Sequence, residues 1–298
     1  MTYIDKGYKM KNRNIIKQDY QLVNAKYKLD TSEIKFIMTA LAQINADDKE
    51  FCTYEIKVSE LEAKLQTEQN STRLKQFAKK LMSKPLEVPT EGKGWIVFNW
   101  FSKIQFVPEQ RKFIVRIDDD LKPYLLELRN RFVTCNLKYI LPLTSSYSVR
   151  IYQMLKEYEK LKIRYIKVSE LMDILQVPKS LKTYADFKRR VLKIAEKELA
   201  EHTDIYFTFE EEKEGKKVDR LIFRIYPNKQ EQEGLFGTEL SEDLKPFIGK
   251  KIYLNGYDWL IKSISKNEEK INIFCQEVDD KTYTKTFEIS MAQLKAAK

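Results

Sequence analysis

The chain has 298 residues, 43% of them hydrophobic and 12% aromatic, enough to bury two cores and a small appendage. Its cysteines (Cys52, Cys135, Cys275) are odd in number and widely spaced, which excludes a disulfide framework and a C-x-x-C pair and fits reduced thiols in the cytoplasm. No apolar run reaches membrane-spanning length, the basic N-terminus lacks the apolar core of a signal peptide, and no membrane partner is expected. The formal net charge is +10, and residues 229–298 hold 11 Lys/Arg against 12 Asp/Glu, so the whole excess lies before them. Such a body suits a polyanionic partner, nucleic acid before membrane, although solvated Lys-rich helix faces would give the same composition.

In chain order, Asp30 and Glu33 form a helix-start signal, followed by an inner stripe of Ile34, Ile37, Met38 and Leu41. Ile56 and Val58 alternate with Lys57 as in a short half-buried strand. Ser59 then stands where an N-cap belongs, with Glu62 completing a capping box and Leu61 and Leu65 facing inward. A second helix is predicted over RLKQFAKKLM, and WIVFNWFSKIQF and KFIVRI flank VPEQR as a hairpin. The acidic run Asp118–Asp120 reads as a helix start before LKPYLLEL rather than a metal site.

The same order then repeats. IKVSELEAKLQ (56–66) returns as IKVSELMDILQ (166–176), identical at eight of eleven positions and 110 residues on. Ser169 takes the N-cap place, and Met172 replaces the capping-box glutamate. Phe77 and Phe187 each lie 21 residues after Ile56 and Ile166, with basic pairs Lys79–Lys80 and Arg189–Arg190 following. Before the second copy, YSVRIYQMLKEY is expected to bury Ile151, Leu155 and Tyr158. After it, DFKRRVLKIAEKEL precedes DIYFTFE and RLIFRIY, which flank a charged tip, EEKEGKKV. Helix, short strand, helix, helix and hairpin make a winged helix, a helix-turn-helix with a β-hairpin wing. The expected fold is therefore α+β: two tandem winged-helix domains related by internal duplication (14–136 and 137–228), a linker (229–244) and a small β-rich C-terminal domain (245–298).

On a helical wheel, Leu74, Phe77, Ala78 and Leu81 face inward in copy one. Gln69, Thr72, Arg73, Gln76, Lys79 and Lys80 face outward. In copy two Phe187, Val191, Ile194 and Ala195 face inward, against Lys182, Arg189, Arg190, Lys193 and Lys197 outside. Arg and Lys suit guanine edges, Gln suits adenine, and either cation suits phosphate. Any amphipathic helix exposes its charges, but two at equal offsets, each before a hairpin, favour DNA contact. Lys213, Lys216 and Lys217 at the second wing could touch phosphates; the glutamates around them fit a merely solvated turn equally well.

Over residues 14–228 the sequence resembles the iteron-binding plasmid replication initiators, which are built from two winged-helix domains. LVNAKYKLDTSEIKFIMTALAQI (22–44) resembles their opening helix region. Residues 118–158 resemble their connector and the first helix of the second domain, and FKRRVLKIAEKEL with DIYFTFE resembles their second recognition helix and following strand. The resemblance implies binding of directly repeated double-stranded origin DNA as a monomer, opening of an adjacent AT-rich segment, and recruitment of the host initiator ATPase and replicative helicase. It also implies dimers that repress the chain's own promoter, a dimerising first domain and a second domain that is the stronger DNA reader. Arg189, Arg190 and Lys193 are then the leading contacts.

Several chemistries lack their residues. One histidine, His202, cannot supply the paired-histidine metal site of a rolling-circle nicking enzyme, and it reads as a cap or surface residue near a helix end. No G-x-x-x-x-G-K-[ST] motif and no zinc spacing occur, so no catalytic residues, metal or cofactor are expected. In the linker, Gln232, Leu235 and Phe236 resemble the Q-x-x-L-F pattern of sliding-clamp ligands, against the alternative of a linker tucked onto a domain. Beyond it, alternating segments with a turn at Asn255-Gly256 predict short strands. A dedicated winged-helix transcription regulator without replication activity is the alternative to the initiator reading.

Overall fold

The computed structural model describes residues 14–45, 47–60, 71–90, 94–128, 131–181, 183–228, 244–255, 257–267, 270–278 and 284–295. Of the residues singled out above, Leu61, Glu62, Leu65, Gln69, Lys182, Gln232, Leu235, Phe236 and Gly256 lie outside them. The chain divides into two compact units, Met1–Pro227 and Asn228–Lys298.

The first unit opens with β1 (Ile15–Asp19), the one-turn α1 (Tyr20–Val23) and α2 (Thr31–Leu41). Asp30 accepts from the Glu33 N–H at 3.0 Å, and Glu33 accepts from the Asp30 N–H at 2.7 Å, the reciprocal box announced by the sequence. Every residue from Glu33 to Leu41 is buried, so α2 is enclosed all round, not only along its apolar stripe. Then come β2 (Thr53–Lys57), a 3₁₀ turn (Val58–Glu60), α3 (Ser71–Met82), β3 (Leu86–Pro89), β4 (Trp95–Phe98), β5 (Phe101–Val107) and β6 (Lys112–Ile117).

The segment WIVFNWFSKIQF is thus two strands. β4 pairs with β3 and β5 with β6, the break falling at Asn99-Trp100, where the buried Trp100 ring meets Tyr27 edge-on at 5.3 Å. Asp118 caps a 3₁₀ turn (Asp119–Leu121) through the Asp120 N–H, the helix start read from the acidic run. The connector continues with α4 (Lys122–Leu125), β7 (Phe132–Asn136), which pairs with β1, and α5 (Leu137–Ile140).

The second copy comprises α6 (Ser146–Lys156), β8 (Ile163–Lys167), α7 (Val168–Ile174), α8 (Tyr184–Phe187), a π turn (Lys188–Leu192), α9 (Lys193–His202), β9 (Ile205–Glu214) and β10 (Lys217–Pro227). α6 buries Ile151 and Leu155, while Tyr158 falls beyond its end and is half-buried. Ser169 is not an N-cap: the cap of α7 is Lys167, with Ser169 inside the first turn, because the buried Val168 already belongs to the helix. Ser59 sits in the 3₁₀ turn, and the capping box expected with Glu62 falls outside the described residues.

The duplication survives residue by residue in strand pairing. The sheets run β2-β6-β5 and β8-β10-β9. Ile56 opposes Phe113 and Tyr54 opposes Val115; Ile166 opposes Leu221 and Arg164 opposes Phe223. One continuous core spans both copies. Across their seam the buried Arg150 donates to the Ala25 carbonyl at 2.7 Å and lies 3.6 Å over the Tyr27 ring. Gln153 donates to Gln18 at 2.7 Å, and Thr31 donates to the Thr144 carbonyl at 2.8 Å. Burial pushes the Arg150 guanidinium down to about 9.

The second unit is an antiparallel meander of β11 (Lys251–Leu254), β12 (Tyr257–Asn267), β13 (Lys270–Glu277) and β14 (Thr284–Ile289), closed by α10 (Met291–Lys295), which the sequence reading lacked. Leu254 pairs with Tyr257 across the predicted turn, where Asn255 has φ 53°. Trp259, Ile261, Ile273 and Leu294 fill its core. Burial raises the Cys275 thiol there to about 12, and none of Cys52, Cys135 and Cys275 is in a disulfide.

Candidate nucleic-acid interface

In the first copy, α3 packs Leu74 and Leu81 into the core, with Phe77 half-buried and edge-on to Phe36 at 5.3 Å. That contact turns Thr72, Arg73, Gln76, Lys79 and Lys80 outward, and all five are exposed, as is Lys75, which the wheel reading omitted. Lys80 differs from the rest. Its Nζ lies 2.6 Å from Asp30 and 3.3 Å from Glu33, so it secures the α2 capping box. Burial alone would raise the Asp30 carboxyl, but the Lys80 hydrogen bond and the Glu33 N–H outweigh it and hold it below the usual range. Lys84, 2.5 Å from the buried Glu33, completes the cluster.

In the second copy the helix begins at Thr183, whose hydroxyl accepts from the Asp186 N–H at 3.2 Å. The π turn then changes which residues face inward. Phe187, Val191, Leu192, Ala195 and Leu199 are buried, whereas Ile194 is 41% exposed. The wheel that placed Ile194 inside assumed an uninterrupted α-helix; the wider turn rotates everything after it, so Leu192 fills the place. Arg189, Arg190, Lys193 and Lys197 are all exposed. Arg189 donates to Asp186 at 2.7 Å, Lys193 to Glu196 at 2.6 Å, and Lys197 lies 3.9 Å from Glu201. Arg190 makes no ion pair within 4 Å among the described residues.

The wing is tied to this helix. Glu211 of β9 accepts from Lys188 at 2.6 Å and from the Tyr184 hydroxyl at 2.7 Å, and the Lys188 bond chiefly holds its carboxyl low. Lys193 lies 5.1 Å over the Phe209 ring. Neither Lys188 nor the π turn was read from the sequence; the turn leaves the hydrophobic pattern plausible for an ordinary helix.

The strands extend to Glu214 and from Lys217, so the turn itself is only Gly215-Lys216, with Gly215 at φ 61° as a II′-like turn needs. Glu210 pairs with Arg224 and Glu212 with Arg220. Glu210 and Glu212 are therefore engaged within the sheet and Glu211 with the helix, while Lys213, Lys216 and Lys217 make no ion pair among the described residues. His202 ends α9, where a cap or surface role was read. Among the described residues no group of three His, Cys, Asp or Glu could hold a metal, and no helix is long and apolar enough to cross a membrane.

This arrangement is two winged-helix modules sharing one core, each presenting a cationic helix beside a hairpin. Residues 15–156 match the family described as "Initiator Replication protein, WH1", and residues 167–225 match "Initiator Rep protein, WH2". The chain belongs to this family of replication initiators. A "Replication initiation protein" of Escherichia coli is 26% identical over 244 residues, covering 78% of this chain and 75% of its own. Among solved structures, "Crystal structure of Pi initiator protein in complex with iteron DNA" is similar with a TM-score of 0.59 at 22% identity, covering 74% of this chain and all of that one.

Proposed function

We propose that this chain initiates replication of the plasmid that encodes it by binding directly repeated sites in double-stranded origin DNA. The observation that carries this reading is the duplicated scaffold. Two winged helices with one strand register are locked through a common core, which suits two successive major grooves on one duplex. Family membership and the Pi initiator, a fold relative whose crystal structure is a complex with iteron DNA, support the same reading. In it, Arg189, Arg190 and Lys193 read the groove, Lys213, Lys216 and Lys217 hold phosphates, and Arg73, Gln76 and Lys79 supply the first module's contacts. Lys80 is set aside as a structural residue.

The chain has no catalytic step of its own in this reading. Binding opens the neighbouring AT-rich segment and gathers the host initiator ATPase and helicase, a second copy of the chain forms the repressing dimer, and Gln232, Leu235 and Phe236 engage the sliding clamp. Supplying the protein to a plasmid deleted for its own initiator tests the core of the proposal. Rescue of replication is expected, whereas promoter repression without rescue would assign a dedicated regulator. Incubation with supercoiled DNA and Mg²⁺ or Mn²⁺ should leave the DNA uncut; nicking would overturn the non-catalytic assignment. Phe236→Ala should abolish clamp binding while sparing origin binding, and unchanged clamp affinity removes that partner.

A further inference from the structure

The two modules carry their cations differently. On α3, Lys75 and Lys79 form no ion pair within 4 Å among the described residues. On the second helix almost every cation already holds a carboxylate: Asp186 on Arg189 at 2.7 Å, Glu196 on Lys193 at 2.6 Å and Glu211 on Lys188 at 2.6 Å. The first two acids come from the same helix, three residues away, and the third comes from the wing. Lys197 lies 3.9 Å from Glu201, and among the described cations of this helix Arg190 alone makes no ion pair within 4 Å.

A helix meant only to neutralise phosphates gains nothing from such partners. Non-specific affinity grows with each counterion released from the duplex, and a cation already matched by a protein carboxylate releases fewer. We infer that Asp186, Glu196 and Glu211 are specificity-determining residues: Asp186 and Glu196 occupy the reading cations Arg189 and Lys193, and Glu211 the adjacent Lys188, until acceptors of the correct site replace them. This rests on reading α8 to α9 as the DNA-reading helix. The phosphates of a random duplex must then compete with a pre-formed, correctly oriented carboxylate, and they bring no base contact in return. The correct site supplies guanine acceptors in fixed geometry and offsets the exchange. Specificity here is raised by weakening the wrong complex as well as by strengthening the right one. The first module's unguarded Lys75 and Lys79 supply sequence-independent attraction.

The test compares wild type with Glu196→Gln and Asp186→Asn on two equal-length duplexes across a salt series. One carries the repeats recovered from the replicon, and the other is random. Each variant should bind random DNA several-fold more tightly, with a salt slope steeper by about one, and should gain less on the repeats, so that the specificity ratio falls. Glu211→Gln, which acts from the wing, should move the ratio the same way and guards against a defect peculiar to the helix. Circular dichroism establishes that each variant is folded. Unchanged affinity and slope on random DNA overturn the inference. Loss of repeat affinity alone also overturns it, by making the carboxylates base readers that accept from cytosine. If wild type itself does not prefer the repeats, the DNA-reading assignment fails first.

Discussion

Arg164 on β8 donates through Nη2 to Asn24 Oδ1 at 2.8 Å, reaching from the second copy of the fold to the first helical turn of the chain. Its other terminal nitrogen donates to the Met154 carbonyl at 2.8 Å and lies 3.6 Å from Glu157, which is itself almost wholly buried. Asn24 donates to that carboxylate at 2.9 Å, and Arg131 of the connector lies 2.5 Å from it. Burial lowers the Arg164 pKa although Glu157 works against it, as expected of a cation kept in a dry seam. First module, connector and second module thus meet on one carboxylate.

Glu157→Ala should therefore be severe. It strands Arg164 without its counter-charge, and breaking a buried pair from one side costs about 3–5 kcal/mol. Glu210→Ala, which opens a solvent-exposed pair with Arg224, should cost far less. Urea unfolding of the two variants checks the contrast; equal midpoints would mean that the seam does not hold the modules together.

How far the sequence revealed this architecture depended on whether the signal was periodic. The repeat was legible because strand alternation and helix offsets survive substitution, and Ile56 and Ile166 do hold equivalent registers against β6 and β10. The π turn was not legible, because Phe187, Val191, Ile194 and Ala195 satisfy an ordinary helical wheel, and only tertiary packing of Leu192 reveals the extra residue. Nor could Lys80 be told from Lys79 by position. Its partner Asp30 lies 50 residues earlier, and nothing local marks the pair. The ion pairs within α8 to α9 were readable at i,i+3 spacing; the bond from Lys188 across to Glu211 on the wing was not.

Arg190 and the wing lysines should separate base reading from phosphate contact. Arg190→Ala should weaken binding to the repeats by about 1–3 kcal/mol, with little change on random DNA. Lys216→Ala and Lys217→Ala should weaken both duplexes alike and lower the salt slope by about one each. Binding measured at several salt concentrations distinguishes the patterns. If Arg190→Ala acts equally on both duplexes, that residue contacts the backbone instead.

Acid should loosen the second module through Glu198. This carboxylate on α9 accepts from the Thr144 N–H at 3.0 Å, the Thr144 hydroxyl and the Ser145 N–H at 3.3 Å, and so caps the start of α6. Burial would raise its pKa, but the neighbouring Ser148 hydroxyl, together with the Thr144 and Ser145 groups, outweighs burial and holds it low. A depressed folded-state pKa contributes stability that is present above the unfolded carboxylate value and lost as pH falls through the folded one. Asp30 has the same sign. Stability should thus be flat near neutrality and fall below roughly pH 4, and Glu198→Gln should be less stable at pH 7 and less sensitive to acid. Thermal melts at several pH values decide this, and an unaltered acid limb in the variant would remove Glu198 from the account.

Self-association should run through β4. This strand pairs only with β3 among the described residues, and it exposes Trp95 by 66%, Ile96 by 41% and Val97 by 48%. Three consecutive exposed apolar residues on a strand with an unpaired edge form a surface that proteins usually cover or charge. A second copy adding its own β4 would pair that edge and bury the side chains in one step, and its two-fold symmetry would let each strand serve the other. Val97→Lys places a charge in that contact and should shift the protein to monomer in sedimentation equilibrium without altering its folded spectrum. Because the resemblance implies that a monomer occupies direct repeats and a dimer the chain's own promoter, repeat binding should persist while promoter binding falls. A dimer that survives both Val97→Lys and Trp95→Glu would place the contact on another surface.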